Sequence, residues 1–268
     1  MKGLFYTFTV CLLFVSTFVQ AQQKKTTATQ RPKLPIEYVA EFNESNSFSH
    51  SFASSHANNK CALVEGTRIP SEKWKEDGYH VPQLEEWGCV FPVDRTIDFK
   101  KKETVTNHGE YAMIAGEVLF FRADYKRSGD AFYAIRFKNK TNKLRCAYRY
   151  QKTGTFENDG NLDSGLEVSV IYLGPSFKGT INTIANEAYW NTNKNKIVKR
   201  YFPAAGFGDF NRGAAEDVIR RRGYAGYYWA LHDFSYAGIP AISFNERFVQ
   251  EEIVNRQKGA CLRLFSDK

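Results

Sequence analysis

Three hydrophobic patterns succeed one another along the chain. From Leu4 to Val19 the residues are apolar apart from Tyr6, Thr7, Thr9, Ser16 and Thr17, and none is charged. Lys2 precedes this run, and Val19-Gln20-Ala21 closes it with small residues where a signal peptidase reads. Residues 1–21 are therefore expected to form a secretory signal peptide cut after Ala21. The run is too short and too weakly apolar to read as a membrane anchor. Residues 22–33 are polar, basic and without periodicity, the pattern of a flexible leader. Short apolar runs then alternate with polar clusters, which predicts a single folded domain over residues 34–268.

Within that domain, Ile36 to Phe42 alternates after Pro35 and predicts a first strand. Residues 43–60 are rich in Ser, Asn and His and predict a loop. Pro82 to Gly88 predicts a short helix, with Pro near the start, early acids and a closing Gly. Tyr111 to Tyr125, Ala131 to Phe137, Lys143 to Gln151 and Leu166 to Leu173 predict strands, because each carries β-branched or aromatic residues in a short run. Polar clusters at 126–130 and 153–165 separate them. A second helix is predicted over Ile181–Trp190, and short strands return at Tyr227–Trp229, Gly238–Phe244 and Ala260–Phe265. Strands do not alternate with long helical patterns, which argues against a doubly wound sheet. The class is α+β, with a mainly antiparallel sheet and long loops.

Composition narrows the partners. The 268 residues, 43% hydrophobic and 15% aromatic, can fill a core and exclude disorder over most of the chain. The formal charge is +8, and cleavage after Ala21 would remove one lysine and no acid. Such a surplus favours acidic polysaccharide, lipid headgroups or an acidic protein. The basic residues are scattered, so no nucleic-acid partner is expected, and Arg220-Arg221-Arg222 reads as a solvated turn. Cys11 lies inside the leading apolar run. The remaining four, Cys61, Cys89, Cys146 and Cys261, allow two disulfides in three connectivities, or buried thiols. Their long spacings, with no Cys-x-x-Cys, argue against zinc.

Catalytic signatures are missing from the sequence. His50, His56, His80, His108 and His232 fall in no metal-ligand spacing, and no nucleophile elbow or phosphate loop occurs. Gly206-Phe207-Gly208 lacks the third glycine of a dinucleotide turn. Glu85-Glu86 and Glu251-Glu252 are adjacent and so point in different directions, whereas acid–base work needs carboxyls facing each other. No enzyme activity, catalytic residue, cofactor or metal is expected. The aromatic cluster Tyr224, Tyr227, Tyr228, Trp229, Phe234 and Tyr236 lies among Gly223, Gly226 and Gly238. It has two readings: core packing of short strands, or a loop-borne recognition surface. On the second reading Tyr224, Tyr227, Tyr228, Trp229, His232 and Tyr236 are candidate binding residues.

Three segments carry a family resemblance. They are Gly78-Tyr79-His80-Val81-Pro82 with Glu85-Glu86-Trp87; Tyr201 to Phe207 with Gly223 to Trp229; and the closing Arg256 to Arg263. In this order they resemble the Fibrobacter succinogenes major paralogous domain, a family of exported proteins of Bacteroidota. The resemblance implies a C-type-lectin-like fold, a small twisted sheet with two helices and long loops. It also implies export to the envelope or surface, often as adhesin or fimbria-associated components, without an established enzymatic role. The chain departs from the family at Trp229-Ala230-Leu231-His232, where hydroxyl residues are usual. It departs again at Leu264, where the family closes on a cysteine and this chain has Cys261 three residues earlier. Calcium-dependent lectins of that fold need a carboxylate that Trp190-Asn191-Thr192 lacks. The paired cysteines of the formylglycine-generating enzymes, which share the fold, have no counterpart here.

The resulting expectation is a non-enzymatic exported binding or adhesion module, an accessory component of a surface filament or outer-membrane complex. The alternative is a calcium-independent glycan-binding protein for acidic polysaccharide. The partner would be an envelope or surface protein, or an anionic glycan, with no direct membrane span. The location would be the cell surface, extracellular space or periplasm of a Gram-negative bacterium. N-terminal sequencing of the exported protein should begin at Gln22; a first residue of Met1 would remove the signal-peptide reading.

Overall fold

A computed structural model describes residues 31–44, 51–54, 61–69, 75–157, 163–210, 218–231 and 238–268. The expected signal peptide, most of the leader, His50, His56, His232, Phe234 and Tyr236 lie outside the described residues. In chain order the first third gives β1 (Ser51–Ser54), β2 (Cys61–Glu65), β3 (Tyr79–His80), helix α1 (Leu84–Trp87) and β4 (Ile97–Asp98). The middle gives β5 (Thr104–Ile114), β6 (Glu117–Ser128), β7 (Ala131–Lys138), β8 (Cys146–Thr153) and β9 (Gly165–Tyr172). Helices α2 (Ile181–Ile184) and α3 (Glu187–Thr192) precede β10 (Val198–Pro203), β11 (Phe207–Asp209) and β12 (Val218–Arg220). The chain closes through β13 (Ala225–Trp229), β14 (Ile239–Asn245), β15 (Phe248–Val254), β16 (Lys258–Cys261) and β17 (Phe265–Ser266).

Two large sheets result. The first is a six-stranded antiparallel sheet in the order β10-β9-β8-β7-β6-β5. Its β5–β6 turn is the two-residue Ala115-Gly116, with φ of 50° and 80°. Two positive φ angles match the right-handed twist of the flanking strands. The second sheet runs β1-β2-β16-β13-β14-β15-β4, with β11 on β16 and β12 on β11. Its β13–β16 contact is parallel and places Tyr228 beside Cys261. A small ladder joins β17 to β3.

Strands β7 to β9 are apolar on both faces because both are covered. Phe132, Ala134, Tyr148, Tyr150 and Val168 face the main core, which also holds Ile242 and Phe244 of the second sheet. Tyr133, Ile135, Ala147 and Ile171 face Ile181, Ile184 and Trp190 of α2 and α3. At the centre of the main core, Trp87 lies 6.0 Å from Phe202, 5.9 Å from Tyr228 and 5.2 Å from Phe265, centroid to centroid.

One polar cluster is sealed inside. Arg136 on β7 is fully buried, and its Nε donates to Glu110 Oε2 at 2.9 Å. Its Nη2 donates to the carbonyls of Gly88 at 2.9 Å and Phe91 at 3.2 Å. The hydroxyls of Tyr148 and Tyr150 donate to the intervening carbonyls of Cys89 and Val90. Four consecutive carbonyls after α1 are thus satisfied by side chains of one sheet. Tyr125 donates to the other oxygen of Glu110. Burial opposes the Arg136 charge, but Glu110 and the surrounding phenols outweigh it and raise its pKa.

The α+β class with mainly antiparallel pairing holds, although strand dominates. The helix over 82–88 and the β-rich middle lie where the pattern put them. Several expectations are corrected. Instead of one small sheet with two helices, the described residues form two large sheets and three helices of four to six residues. Ile36–Phe42 is not a strand. Pro35–Tyr38 is a 3-10 turn, because Pro35 fixes φ and Glu37 takes the Leu34 N–H at 2.6 Å. Only Val39 bridges, to Phe265. The loop over 43–60 contains β1. The helix over 181–190 breaks into two, with the Asn186 side chain capping α3 through Tyr189 N. The strand over 260–265 is divided, and β10 and β15 arise where none was foreseen.

Of the four cysteines, Cys61 and Cys261 form a disulfide that joins the neighbouring strands β2 and β16 across 200 residues of sequence. Cys89 and Cys146 are buried thiols. Cys89 Sγ donates to Met113 O at 3.3 Å, and burial pushes its pKa up.

Glu110→Leu should leave Arg136 as an uncompensated buried charge and cost about 3–5 kcal/mol in urea denaturation. Tyr150→Phe, which removes the hydrogen bond to the Val90 carbonyl and the acceptor for Arg136 Nη1 at 3.4 Å, should cost about 1–2 kcal/mol. Equal losses for the two variants would contradict the central role of the ion pair.

Candidate functional site

Successive residues of a strand point to opposite faces. On β5 the buried Glu110, Ala112 and Ile114 alternate with the half-buried Tyr111 and Met113. On β6 the inward Phe121 and Ala123 alternate with the exposed Val118, Phe120 and Arg122. The register sets Tyr111 opposite Phe120, Met113 opposite Val118 and Gly109 opposite Arg122. The outer face of this hairpin is therefore apolar in the middle and basic at one end. Phe120 is 77% exposed and Val118 47%. The Tyr111 and Phe120 rings are 6.3 Å apart and tilted by 46°.

A cleft of about 490 Å³ opens beside these rings, lined by Tyr111, Phe120, Arg122, Lys138, Asn139 and Lys140 among others. The basic rim depends on a bulge. Arg122 pairs with Lys138, but Asp124 pairs with Ile135, so Arg136 and Phe137 together oppose one residue of β6. Phe137 takes φ of 60°, and its ring stacks on Phe121 with centroids 4.2 Å apart. This sends Arg136 inward while Lys138 reaches the rim. Lys138 is paired with Asp124 at 2.7 Å, whereas Arg122 donates to a neutral acceptor, the Asn107 carbonyl. Among the described residues neither Arg122 nor Lys140 has a carboxylate partner, so their charges face the cleft uncancelled.

At the other end of the hairpin, a second cleft of about 460 Å³ is lined by Met113, Ala115, Gly116, His80, Glu86 and Asp267, among others. His80 is held between two carboxylates, Nε2 to Glu86 at 2.8 Å and Nδ1 to Asp267 at 2.5 Å. Glu86 also accepts the Gln83 N–H at 2.8 Å, which closes the first turn of α1. The Glu86 contact raises the His80 pKa, burial opposes it, and Asp267 adds to the rise. Both ring nitrogens are taken, so His80 clamps β3, α1 and the segment after β17 together and presents no free base. Between the clefts, burial raises the Tyr111 pKa, and the nearby carboxylates of Glu85, Glu251 and Asp94 raise it further.

The chain belongs to the family described as Domain of unknown function (DUF8237). That family's model matches residues 31–265. Neither a curated protein nor a solved structure matches the chain. In this member of the family, both clefts lie within the matched span apart from Asp267.

The candidate aromatic residues are placed differently from the surface reading. Tyr228 and Trp229 are fully buried and Tyr227 is 5% exposed. Tyr228 donates to Pro203 O at 3.1 Å and Trp229 Nε1 to Val64 O at 2.7 Å. Arg221 donates to the Tyr227 hydroxyl at 2.7 Å, and Phe207 stacks edge-on against the Tyr227 ring. These rings are corrected to core packing, since a ligand cannot reach a ring with no exposed face. Tyr224 is half-buried against the same packing. The residues the sequence reading missed are Tyr111, Phe120, Arg122, Lys138 and Lys140. One signal was available: Val118-Leu119-Phe120-Phe121 is apolar at every position, where a strand with one solvated face should alternate.

Asp94, His108 and Glu110 also meet, each offering a ligand atom within 4.8 Å of the others. Glu110 is already held by Arg136 and Tyr125, and a cation there would lie beside a buried guanidinium. The cluster is better explained as support for the Arg136 network.

Folded His80 holds its proton above the unfolded value of 6.5, so its contribution is fully present below pH 6.5. It is lost as pH rises through the folded pKa. Urea midpoints should therefore fall across that window in the native protein, and His80→Gln should flatten the fall. A pH-independent difference between the two proteins would overturn this assignment.

Proposed function

We propose that this protein is a non-enzymatic exported binding module that docks an envelope or surface protein through the outer face of the β5–β6 hairpin. The observation that carries the reading is Phe120, a large ring 77% exposed beside Tyr111, with Arg122 and Lys140 on its rim. An exposed apolar patch with a polar border is the usual mark of an interaction surface. Aromatic and arginine side chains are the residues that most often dominate such contacts. No described helix is long and apolar enough to cross a membrane.

The alternative, calcium-independent binding of an acidic polysaccharide, draws on the same residues: rings to stack on sugar faces and cations for carboxylates. The C-type-lectin-like relation implied by the sequence resemblance belongs to this proposal too. What supports it is that two of the resembling segments meet at one aromatic cluster, Trp87, Phe202 and Tyr228.

Capture of the tagged protein from cross-linked envelopes should recover a stoichiometric protein partner with the native chain. Recovery should fall at least tenfold with Phe120→Asp and with Arg122→Glu/Lys140→Glu. These side chains are exposed, so the variants should melt with the native protein. Equal recovery by all three proteins would remove the hairpin face from consideration. Recovery of polysaccharide without protein would put the alternative first.

A further inference from the structure

The two clefts share one strand face, and their electrostatic characters are opposite. Tyr111 lines the first and Met113, two residues along the same side of β5, lines the second. From Gly109 to Ile114 the strand advances about 17 Å at ~3.4 Å per residue. That length matches about six residues of extended polypeptide. At the far end of β5–β6, Arg122 and Lys140 leave positive charge uncancelled. At the turn end, His80 is shared by Glu86 and Asp267, so two carboxylates meet at most one positive charge. The Asp267 side chain is 41% exposed.

This polarity discriminates between partner classes. A polyanion long enough to cover the face would gain at Arg122 and Lys140 and then meet Glu86 and Asp267. Like charges brought together in this way act against the wrong partner. A polypeptide can carry opposite charges at its two ends and apolar side chains between them. We infer that the hairpin face binds an extended protein segment, acidic where it meets Arg122 and Lys140, apolar over Phe120 and Val118, and basic where it meets Asp267. The inference rests on the binding-module reading above and adds the chemistry and direction of the occupant. Phe120 and Val118 supply the affinity by losing exposed apolar area, and the charged ends set orientation.

The test is selection of a displayed library of random twelve-residue peptides on the immobilised full-length protein, with polygalacturonate binding measured in parallel. Selected peptides should share an acidic–apolar–basic pattern. A labelled consensus peptide should bind at least tenfold more weakly to Phe120→Asp, to Arg122→Glu/Lys140→Glu and to Asp267→Lys. Reversing the peptide's charge order should weaken binding to the native protein by a similar factor. Because Asp267→Lys also disturbs the His80 clamp, Asp267→Asn, which removes the charge but keeps an acceptor for His80, serves as a second variant at that end, and melting curves identify any variant that has lost its fold. Peptides indifferent to both Asp267→Lys and Asp267→Asn would overturn the inference while leaving a binding face at Phe120. Polygalacturonate binding without peptide enrichment would overturn it in favour of a glycan. Failure of peptides and polygalacturonate alike, together with equal capture by native and Phe120→Asp proteins, would remove the parent reading as well.

Discussion

The structure depends on one buried ion pair. Arg136 and Glu110 have side chains 0% and 1% exposed, on β7 and β5, with β6 between them. Isolated, either charge would be very costly at that depth. Together they bridge the first sheet and hold the chain that leaves α1. The guanidinium reaches the Gly88 and Phe91 carbonyls while Tyr148 and Tyr150 take the two between. That segment has no strand partner of its own for those carbonyls. Without these donors, α1 and its Trp87 would lose the support that sets them into the aromatic core.

The same pair connects the inside of the protein to its candidate surface. The bulge at Arg136–Phe137 that turns the guanidinium inward also brings Lys138 to the rim opposite Arg122. Phe137 accepts an uncommon backbone conformation there, and its stacking on Phe121 helps to offset the cost. Core and proposed binding face are therefore two sides of one hairpin, and the geometry of either constrains the other. At the turn end, the His80 clamp fixes the second cleft by joining β3 and α1 to the segment after β17, 187 residues away in sequence.

Aromatic residues divide sharply between the two roles. Trp87, Phe202, Tyr228 and Phe265 form the packed centre, and the Tyr and Trp polar atoms find acceptors there. Phe120 remains outside with no such contact. Belonging to a family whose function is undefined leaves this division as the main physical guide to what the surface does. A ring that stays 77% exposed beside a single cross-strand partner, Tyr111, carries a cost in solvation.

Local chemistry was legible in the sequence. The Pro82–Gly88 helix, the β-rich middle and the α+β class followed from turn residues, β-branched runs and the lack of long helical periods. The sequence also marked Tyr227, Tyr228 and Trp229 as a cluster, but composition cannot tell a ring that packs from one that recognises. Only tertiary structure decided that. Tyr228 is buried because β13 lies between β14 and β16, whereas Phe120 stands 77% exposed on the outer face of β5–β6. The pairing of Cys61 with Cys261 and the meeting of His80 with Asp267 lay equally beyond the sequence, since each joins residues more than 180 positions apart. Local pattern fixes which residues can form a strand; which strand lies beside it depends on long-range packing, and here that packing sorts similar aromatic residues into core and surface.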